Sequence, residues 1–207
     1  MEREMLLKSL KGLVGSLGSY TNTYLIYDEK TFEGVLIDIA NNLEEIETFV
    51  ETLQIQLKYL ILTHCHADHI AGLKAFKKKY PQVKILIHEF DADGLTKDEI
   101  NLAPFLETES NFTEADRTLK DGDVIEVGKM KLKVIHTPGH TKGSISILVE
   151  DALFSGDTLF RGSYGRTDFP TGNALDMMHS IHKILELPGK TIVYPGHEQI
   201  TKIEEER

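Results

Sequence analysis

Cysteine is nearly absent from this sequence, and tryptophan is absent altogether. The single cysteine, Cys65, excludes a disulfide framework within the chain. No apolar run approaches the ~18 residues that a membrane-spanning helix needs. Residues 1–20 carry acids near the start and no long apolar core, so we expect no secretory signal peptide and a cytoplasmic location.

Basic residues are fewer than acidic ones, 23 against 33, which gives a formal net charge of −10. A negative surface repels phosphates, so we expect neither a nucleic acid nor an anionic membrane as a partner. No repeat and no Pro/Ser-rich linker divides the chain, and we predict one domain over residues 1–207. No interface patch is visible in the sequence, which leaves a homo-oligomer open.

Two similar blocks of strands and helices follow one another along the chain. Short β-like runs occur at 5–10, 23–27, 34–39, 59–63, 83–88, 123–127, 131–137, 144–149, 152–156 and 191–195. Helical patterns cover 41–54, 67–80 and 174–187. Residues 89–117 are irregular, and we expect a surface excursion with one helical turn. This order predicts an α/β fold in which two sheets face each other and the helices lie outside.

Apolar spacing predicts which face each long helix buries. In the helix at 41–54, which Asn41 or Asn42 would cap, the stripe consists of Ile46, Phe49, Val50 and Leu53. In the helix at 174–187 it consists of Leu175, Met178, Ile181 and Leu185.

Five of the nine histidines and two aspartates follow predicted strands. They lie in three kinds of motif: H-C-H-A-D-H (64–69), two P-G-H segments (138–140 and 195–197) and G-D (156–157). Ends of strands at one edge of a sheet converge in space, so these side chains could meet. The remaining four histidines, which are His88, His136, His179 and His182, are expected to be structural.

The spacing within 64–69 suggests two metal sites. His64 and His66 are two apart in an extended segment, so both rings point to one side and could hold one ion. Asp68 and His69 fall at the start of a helix and suit a second ion. His140 and His197 could supply one further ligand each, and the carboxylate of Asp157 could bridge both ions. Borderline divalent metals favour this mixture of imidazole and carboxylate.

The motifs, in this order, resemble those of the metallo-β-lactamase-fold superfamily, over nearly the whole chain. The resemblance implies a four-layer αββα sandwich with the site along one edge of the paired sheets. It also implies a first metal on His64, His66 and His140, a second on Asp68, His69 and His197, and Asp157 between them. Position 66 is His, whereas the flavo-diiron branch has Glu there. Position 140 is also His, whereas a cysteine at that position would indicate a true lactamase.

The segment G-R-T-D-F (165–169) resembles glyoxalase II-like hydrolases and the related persulfide dioxygenases. The segment P-G-H-E-Q-I-T-K-I-E-E-E (195–206) resembles the compact glyoxalase II-like group. Ten residues follow His197 in this sequence. Typical glyoxalase II carries a helical region there that helps bind glutathione. The resemblance therefore implies thioester hydrolysis without the usual glutathione-binding region.

Three functions compete. The first is a dinuclear hydrolase of small-molecule thioesters with two divalent ions, zinc being favoured over iron or manganese, in which Asp68 also orients the attacking hydroxide. The second is a persulfide dioxygenase, which by resemblance uses one iron on His64, His140 and Asp157. The third is a metal-binding domain without enzymatic activity.

Three further residues are candidates beside the ligands. Arg166 could bind a substrate carboxylate or form a structural ion pair. Asp38 and Asp168 could each support a ligand histidine or cap a local turn. We expect Cys65 to be a packed side chain, because strand alternation directs it away from its histidine neighbours.

Overall fold

The computed structural model describes residues 5–14, 19–108 and 113–207, and its strands form two six-stranded sheets. The first sheet contains β1 (Met5–Val14), β2 (Ser19–Asp28), β3 (Glu33–Ile37), β4 (Gln56–Ile61), β5 (Lys84–His88) and β6 (Arg117–Leu119). The second contains β7 (Val124–Val127), β8 (Met130–His136), β9 (Ile145–Val149), β10 (Ala152–Gly156), β11 (Ile192–Pro195) and β12 (Thr201–Lys202).

Five α-helices and two short 3-10 helices complete the described structure. The α-helices are α1 (Leu43–Thr52), α2 (Ala67–Ile70), α3 (Leu73–Lys79), α4 (Asp98–Asn101) and α5 (Ala174–Leu185). The 3-10 helices are Ala92–Thr96 and Ile203–Glu205. No helix in these described ranges has the length and apolar character needed to span a lipid bilayer.

Strand direction explains where a site can form. In the first sheet β1 to β3 pair antiparallel, whereas β3 to β6 run parallel to one another. In the second sheet β7 to β10 pair antiparallel and β10 runs parallel to β11. Parallel neighbours place their carboxyl ends at one edge, so the loops after β3, β4 and β5 meet there, as do those after β10 and β11.

Three apolar clusters separate four layers. The central cluster joins inward side chains of both sheets, including Ile37 and Ile61 from the first and Val134 and Phe154 from the second. A second cluster lies between the first sheet and helices α1 to α3. A third lies between the second sheet and α5 with the carboxyl-terminal 3-10 helix. This arrangement confirms the predicted α/β fold as an αββα sandwich.

The run G-V-L-I in β3 is apolar throughout because both faces of this strand are covered. Val35 and Ile37 contact the second sheet, whereas Leu36 faces the helices and belongs to the same cluster as Ile46. Strands buried on both faces lose the alternation of apolar and polar residues.

The helix predicted over 67–80 is wrong in one respect, because the chain forms two helices that meet at Gly72. The N–H of Gly72 donates to the carbonyl of Ile39, at 3.1 Å. A Cβ at position 72 would collide with the carbonyl oxygen of Ala40. The backbone therefore lies directly against the segment after β3, and this contact interrupts the helix.

The stripe predicted for α5 is wrong at two of its four positions, whereas Leu185 packs against the third cluster as predicted. Leu175 and Met178 are exposed, by 66% and 43%, and the helix buries Met177, Ser180 and Ile184 instead. The loop after β8 sets this orientation, because Gly139 packs against the backbone of Met177 and the Ser180 hydroxyl donates to the carbonyl of Pro138, at 2.6 Å. In α1, by contrast, Ile46 and Val50 of the predicted stripe are buried.

Several boundaries differ from those predicted. The side chain of Asn42 makes no capping bond to α1 and accepts from the Thr23 hydroxyl instead, at 3.4 Å. The strands β6 and β12 were not predicted, and the excursion at 89–117 contains a 3-10 helix as well as α4. Residues 109–112 of the excursion, like 1–4 and 15–18 of the amino-terminal segment, lie outside the described residues.

Asp28 connects the two sheets. Its buried carboxylate accepts from the N–H groups of Lys30 (2.9 Å) and Thr31 (2.7 Å) in its own turn and from that of Lys129 (2.9 Å) between β7 and β8. Burial opposes ionisation, but the bonds from Lys129 and the local turn outweigh it and lower the pKa of Asp28. The ionised form therefore stabilises the fold.

We expect Asp28→Asn to lower the free energy of unfolding at pH 7 by about 1–3 kcal/mol, because the amide places a donor against backbone donors. Because the pKa of Asp28 is lowered on folding, its contribution is present above the unfolded pKa of about 3.9 and is lost as the pH falls through the folded value. The difference from wild type should therefore shrink in urea unfolding below about pH 4. The exposed neighbour variant Glu29→Gln is the control; equal effects of both variants would contradict the prediction.

Candidate metal centre

Five histidines and two aspartates converge where the edges of the two sheets meet. The first sheet contributes His64 and His66 after β4, and Asp68 and His69 within α2. The second contributes His140 after β8, Asp157 after β10 and His197 after β11. Six of the seven are buried and His197 is half-buried.

The seven side chains form three overlapping groups whose potential ligand atoms lie within 4.8 Å of one another. The groups are His64 with His66 and His140, His64 with His69 and Asp157, and Asp68 with His69 and His197. In the first group, Nδ1 of His66 lies 2.8 Å from Nε2 of His140. In the third, Nε2 of His197 lies 3.2 Å from a carboxylate oxygen of Asp68.

Asp157 lies between the groups. One carboxylate oxygen is 3.2 Å from Nε2 of His69, and the other is 3.4 Å from Nε2 of His140 and 3.3 Å from Nε2 of His197. The carboxylate packs directly against Gly196. A Cβ at that position would collide with the Asp157 carboxylate and with the ring of His69. A larger residue at position 196 would displace the carboxylate from the centre.

Hydrogen bonds fix which ring nitrogen faces the centre. In three histidines Nδ1 lies against an oxygen that can only accept: His69 against Asp38 Oδ2 (2.8 Å), His140 against the Arg166 carbonyl (2.7 Å) and His197 against the Tyr20 carbonyl (2.8 Å). Nδ1 therefore donates in each of these rings, and Nε2 is the nitrogen that is directed into the centre. In His64, Nδ1 contacts the Thr63 hydroxyl at 3.1 Å, which likewise leaves Nε2 for the centre.

Polar atoms at the centre lack partners, which tests whether a metal fits. Nε2 of His64, Nε2 of His66 and one carboxylate oxygen of Asp157 are buried and make no hydrogen bond. Such groups are costly unless something binds them. Buried imidazole nitrogens around carboxylates are the donor set that zinc, iron and manganese accept. The residues present therefore fit divalent metal ions.

Electrostatics divides the cluster into two sides. Burial and the neighbouring His140 lower the pKa of His66 to about 3, so its ring is a neutral base. On the other side burial opposes protonation of His197, but the carboxylates of Asp157 and Asp68 outweigh it and raise its pKa to about 12. Burial opposes ionisation of Asp157, but the positive charges and hydrogen bonds of His197 and His69 outweigh it and hold the pKa of its carboxyl well below the usual range. Protons on His197 and His69 thus compensate the two carboxylates on the second side, and a bound cation would take their place.

Asp38 supports the centre from behind. Its carboxylate accepts from the N–H and the hydroxyl of Thr63, both at 2.7 Å, and from Nδ1 of His69 at 2.8 Å. The residue follows β3 with φ of +57°, a left-handed conformation that turns the side chain toward His69. Of the two roles considered for Asp38, the structure has the contact with a histidine and not a helix cap.

Arg166 and Asp168 bond to each other. Two bonds of 2.7 and 2.6 Å join the guanidinium to the carboxylate, and both side chains are exposed. The Arg166 bond lowers the pKa of Asp168 to about 2. Among the described residues Asp168 bonds to Arg166 and no hydrogen bond joins it to a candidate ligand. Arg166 reaches His140 only through its backbone carbonyl.

Asp91 organises the centre and was missed by sequence reasoning. It is buried, and its carboxylate accepts from the N–H of Cys65 (3.1 Å), the hydroxyl of Thr141 (2.6 Å) and the N–H of Gly143 (2.7 Å). It thus joins the loop that carries His64 and His66 to the loop that carries His140. The available signal was its place shortly after a predicted strand.

The residues expected to be structural belong to none of the three ligand groups found among the described residues. Cys65 is fully buried within the helical cluster, as expected. His88 and His136 stack on each other with ring centroids 4.2 Å apart. Among the described residues neither belongs to a group that could hold a metal, nor do His179 and His182.

A sequence profile described as Metallo-beta-lactamase superfamily matches residues 17–197. The chain belongs to the metallo-beta-lactamase superfamily. The match spans the motif at 64–69 and extends to His197, so it includes all seven clustered residues.

Characterised relatives within the superfamily carry different names. Persulfide dioxygenase ETHE1, mitochondrial, from Bos taurus is 34% identical over 197 residues, which cover 91% of this chain and 70% of that protein. Hydroxyacylglutathione hydrolase from Brucella anthropi is 38% identical over 176 residues, which cover 84% of this chain and 60% of that protein.

Solved structures of superfamily members share the fold over nearly the whole chain. BLEG-1 B3 metallo-beta-lactamase superimposes with a TM-score of 0.87 at 32% identity, covering 97% of this chain and 96% of that one. TTHA1623 in a di-iron-bound form gives 0.81 at 28% identity, covering 95% of this chain and 96% of that one.

We expect Asp38→Asn to weaken metal retention about 10–100-fold, because an amide no longer orients the His69 ring as a charged acceptor does. Metal content after dialysis against a graded series of chelator concentrations measures this. Asp168→Asn is the matched control, since its carboxylate bonds only to the exposed Arg166 among the contacts described. Equal metal retention in the two variants would show that Asp38 does not support the centre.

Proposed function

We propose that this protein is a metal-dependent hydrolase of small-molecule thioesters, similar to glyoxalase II, with two divalent ions at the seven-residue centre. The observation that carries the proposal is the position of Asp157, whose two carboxylate oxygens face histidines of both ligand groups. In this proposal His64, His66 and His140 hold one ion, and Asp68, His69 and His197 hold the other, with Asp157 shared.

Two divalent ions bound there would lower the pKa of water toward about 7 and supply hydroxide at neutral pH. A thioester is a suitable substrate because its thiolate leaves with little help from an acid. The chain therefore needs to orient water and substrate more than it needs to donate protons, and this agrees with a centre in which the histidine protons point outward.

Asp68 is proposed as the catalytic carboxylate. One of its oxygens accepts from the hydroxyl of Thr21 at 3.0 Å and lies 3.2 Å from Nε2 of His197. Thr21 belongs to β2, so the carboxylate is held by the sheet and not only by the short helix α2. Fixed in this way, Asp68 would orient the attacking hydroxide toward the substrate carbonyl.

The second candidate is a persulfide dioxygenase, which the 34% identity to the bovine enzyme favours. By resemblance that activity needs one iron on His64, His140 and Asp157 alone. It would leave Asp68 and His197 without a ligand role, although they lie 3.2 Å apart and each is held by a second contact, Asp68 by Thr21 and His197 by the Tyr20 carbonyl. This complete second group supports the hydrolase.

The proposal includes zinc as the metal, with iron or manganese as alternatives that the same ligands accept. It also includes a cytoplasmic location and a substrate that is neither a nucleic acid nor a membrane lipid. The net charge of −10 supports the last point, because phosphates are repelled. A homo-oligomer is compatible with it.

We expect Asp157→Asn to reduce the metal content from near two ions per chain and to lower thioester turnover at least about 100-fold, because the shared ligand loses its charge. Elemental analysis and release of free thiol measure the two effects. The matched control Asp93→Asn, at an exposed aspartate that pairs with Lys97, should leave both unchanged.

The same preparations separate the two candidates. A hydrolase consumes thioester without oxygen and holds near two metals per chain. One iron per chain, with oxygen uptake on a glutathione persulfide and no thiol release from thioesters, would replace the hydrolase with the dioxygenase. A metal-replete protein that is inert on both substrates would contradict both enzymes.

A further inference from the structure

Aromatic rings line both sides of the candidate centre. Phe169 contacts the ring of His66 edge to face, with centroids 5.7 Å apart at 83°, and Phe105 contacts Phe169 at 5.6 Å and 68°. On the other side Phe160 contacts His197 at 5.9 Å and 84°. The three rings His66, Phe169 and Phe105 thus form a continuous series from the buried ligand to the surface, where Phe105 is 56% exposed.

Phe105 follows a segment that is anchored in the fold. Asn101 is buried at the end of α4; its amide donates to the Gly94 carbonyl at 2.9 Å, and its carbonyl oxygen accepts from the N–H of Ala103 at 2.9 Å. Ala103 is itself buried. The backbone two residues before Phe105 is therefore fixed, and the exposed ring extends from an ordered support beside the centre.

The charge nearest to these rings is already compensated. The guanidinium of Arg166 lies 3.9 Å from the centroid of Phe169, and the same guanidinium is bonded twice to Asp168. Because two donors of the guanidinium already bond to Asp168, Arg166 packs against the ring of Phe169 and does not bind a substrate carboxylate. The wall beside His66 is consequently apolar in character.

We propose that Phe105 and Phe169 form an aromatic wall that binds an aryl or bulky apolar group of the substrate, next to the His66 side of the centre. The preferred substrates are then uncharged thioesters with such a group, in preference to thioesters that carry a carboxylate at that position. This inference rests on the proposed hydrolase function. Aromatic rings favour aryl groups through edge-to-face contacts in addition to the area that they bury.

Binding of thioethers, which the enzyme cannot hydrolyse, tests the wall without requiring turnover. The probes are S-benzyl, S-methyl and S-carboxymethyl derivatives of N-acetylcysteamine, titrated calorimetrically into the metal-loaded protein. We expect the benzyl compound to bind at least about tenfold more tightly than the other two. Phe105→Ala should remove about that factor for the benzyl compound and change the affinity of the methyl compound less than about twofold. Phe105→Leu should fall between Phe105→Ala and wild type.

Phe32→Ala is the matched control, because Phe32 is similarly exposed (44%) but lies before β3, at the end of the sheet opposite the centre. It should leave all three affinities unchanged. Equal affinity for the three probes, tighter binding of the carboxymethyl compound, or a benzyl preference that survives Phe105→Ala would each overturn the wall. Parallel assays with a benzoyl thioester keep the two proposals apart. Benzyl binding that depends on Phe105 without any thioester hydrolysis would end the proposed function and leave the wall standing.

Discussion

The concentration of unpaired donor atoms at the meeting of the two sheets is the constraint on which the rest of the structure depends. Ring nitrogens of His66 and His140 face each other at 2.8 Å, and the Asp157 carboxylate faces two further histidines. Neutral imidazoles placed in this way have no reason to approach unless a cation or proton lies between them. The hydrogen bonds at Nδ1 of His69, His140 and His197 keep Nε2 of each ring directed into the centre. The residues that accept these bonds therefore position the candidate ligands.

Much of the centre follows from the sequence because its ligands lie in short motifs directly after strands. His64 and His66 need only strand alternation to face one side, and the parallel strands bring distant loops to one edge. Asp91 could not be identified in this way, because its partners are backbone N–H groups and a hydroxyl brought together only by folding. For Arg166 the sequence left two roles open, a substrate carboxylate or an ion pair. The structure has the ion pair, and its partner is Asp168.

The errors in the fold have a common physical origin. Apolar spacing predicted that Leu175 and Met178 would be buried in α5, but contact with the loop before His140 rotates the helix so that Met177 and Ser180 face inward. Gly72 interrupts a sequence with good helical character because Ile39 and Ala40, in the segment after β3, occupy the space beside it. In both places a tertiary contact near the centre overrides a local preference. Far from the centre, α1 buries Ile46 and Val50 as its own pattern predicts.

The candidate ligands are divided between the two sheets, and this division limits what either half of the chain could bind alone. Residues up to β6 carry His64, His66, Asp68 and His69, whereas those from β7 onward carry His140, Asp157 and His197. Either half on its own would keep a broken coordination set and an exposed inner face. The candidate metal centre thus exists only where the two sheets meet. A cation bound there would act as a cross-link between two halves of similar construction. Either half would have to pair with the other before the seven candidate ligands could come together.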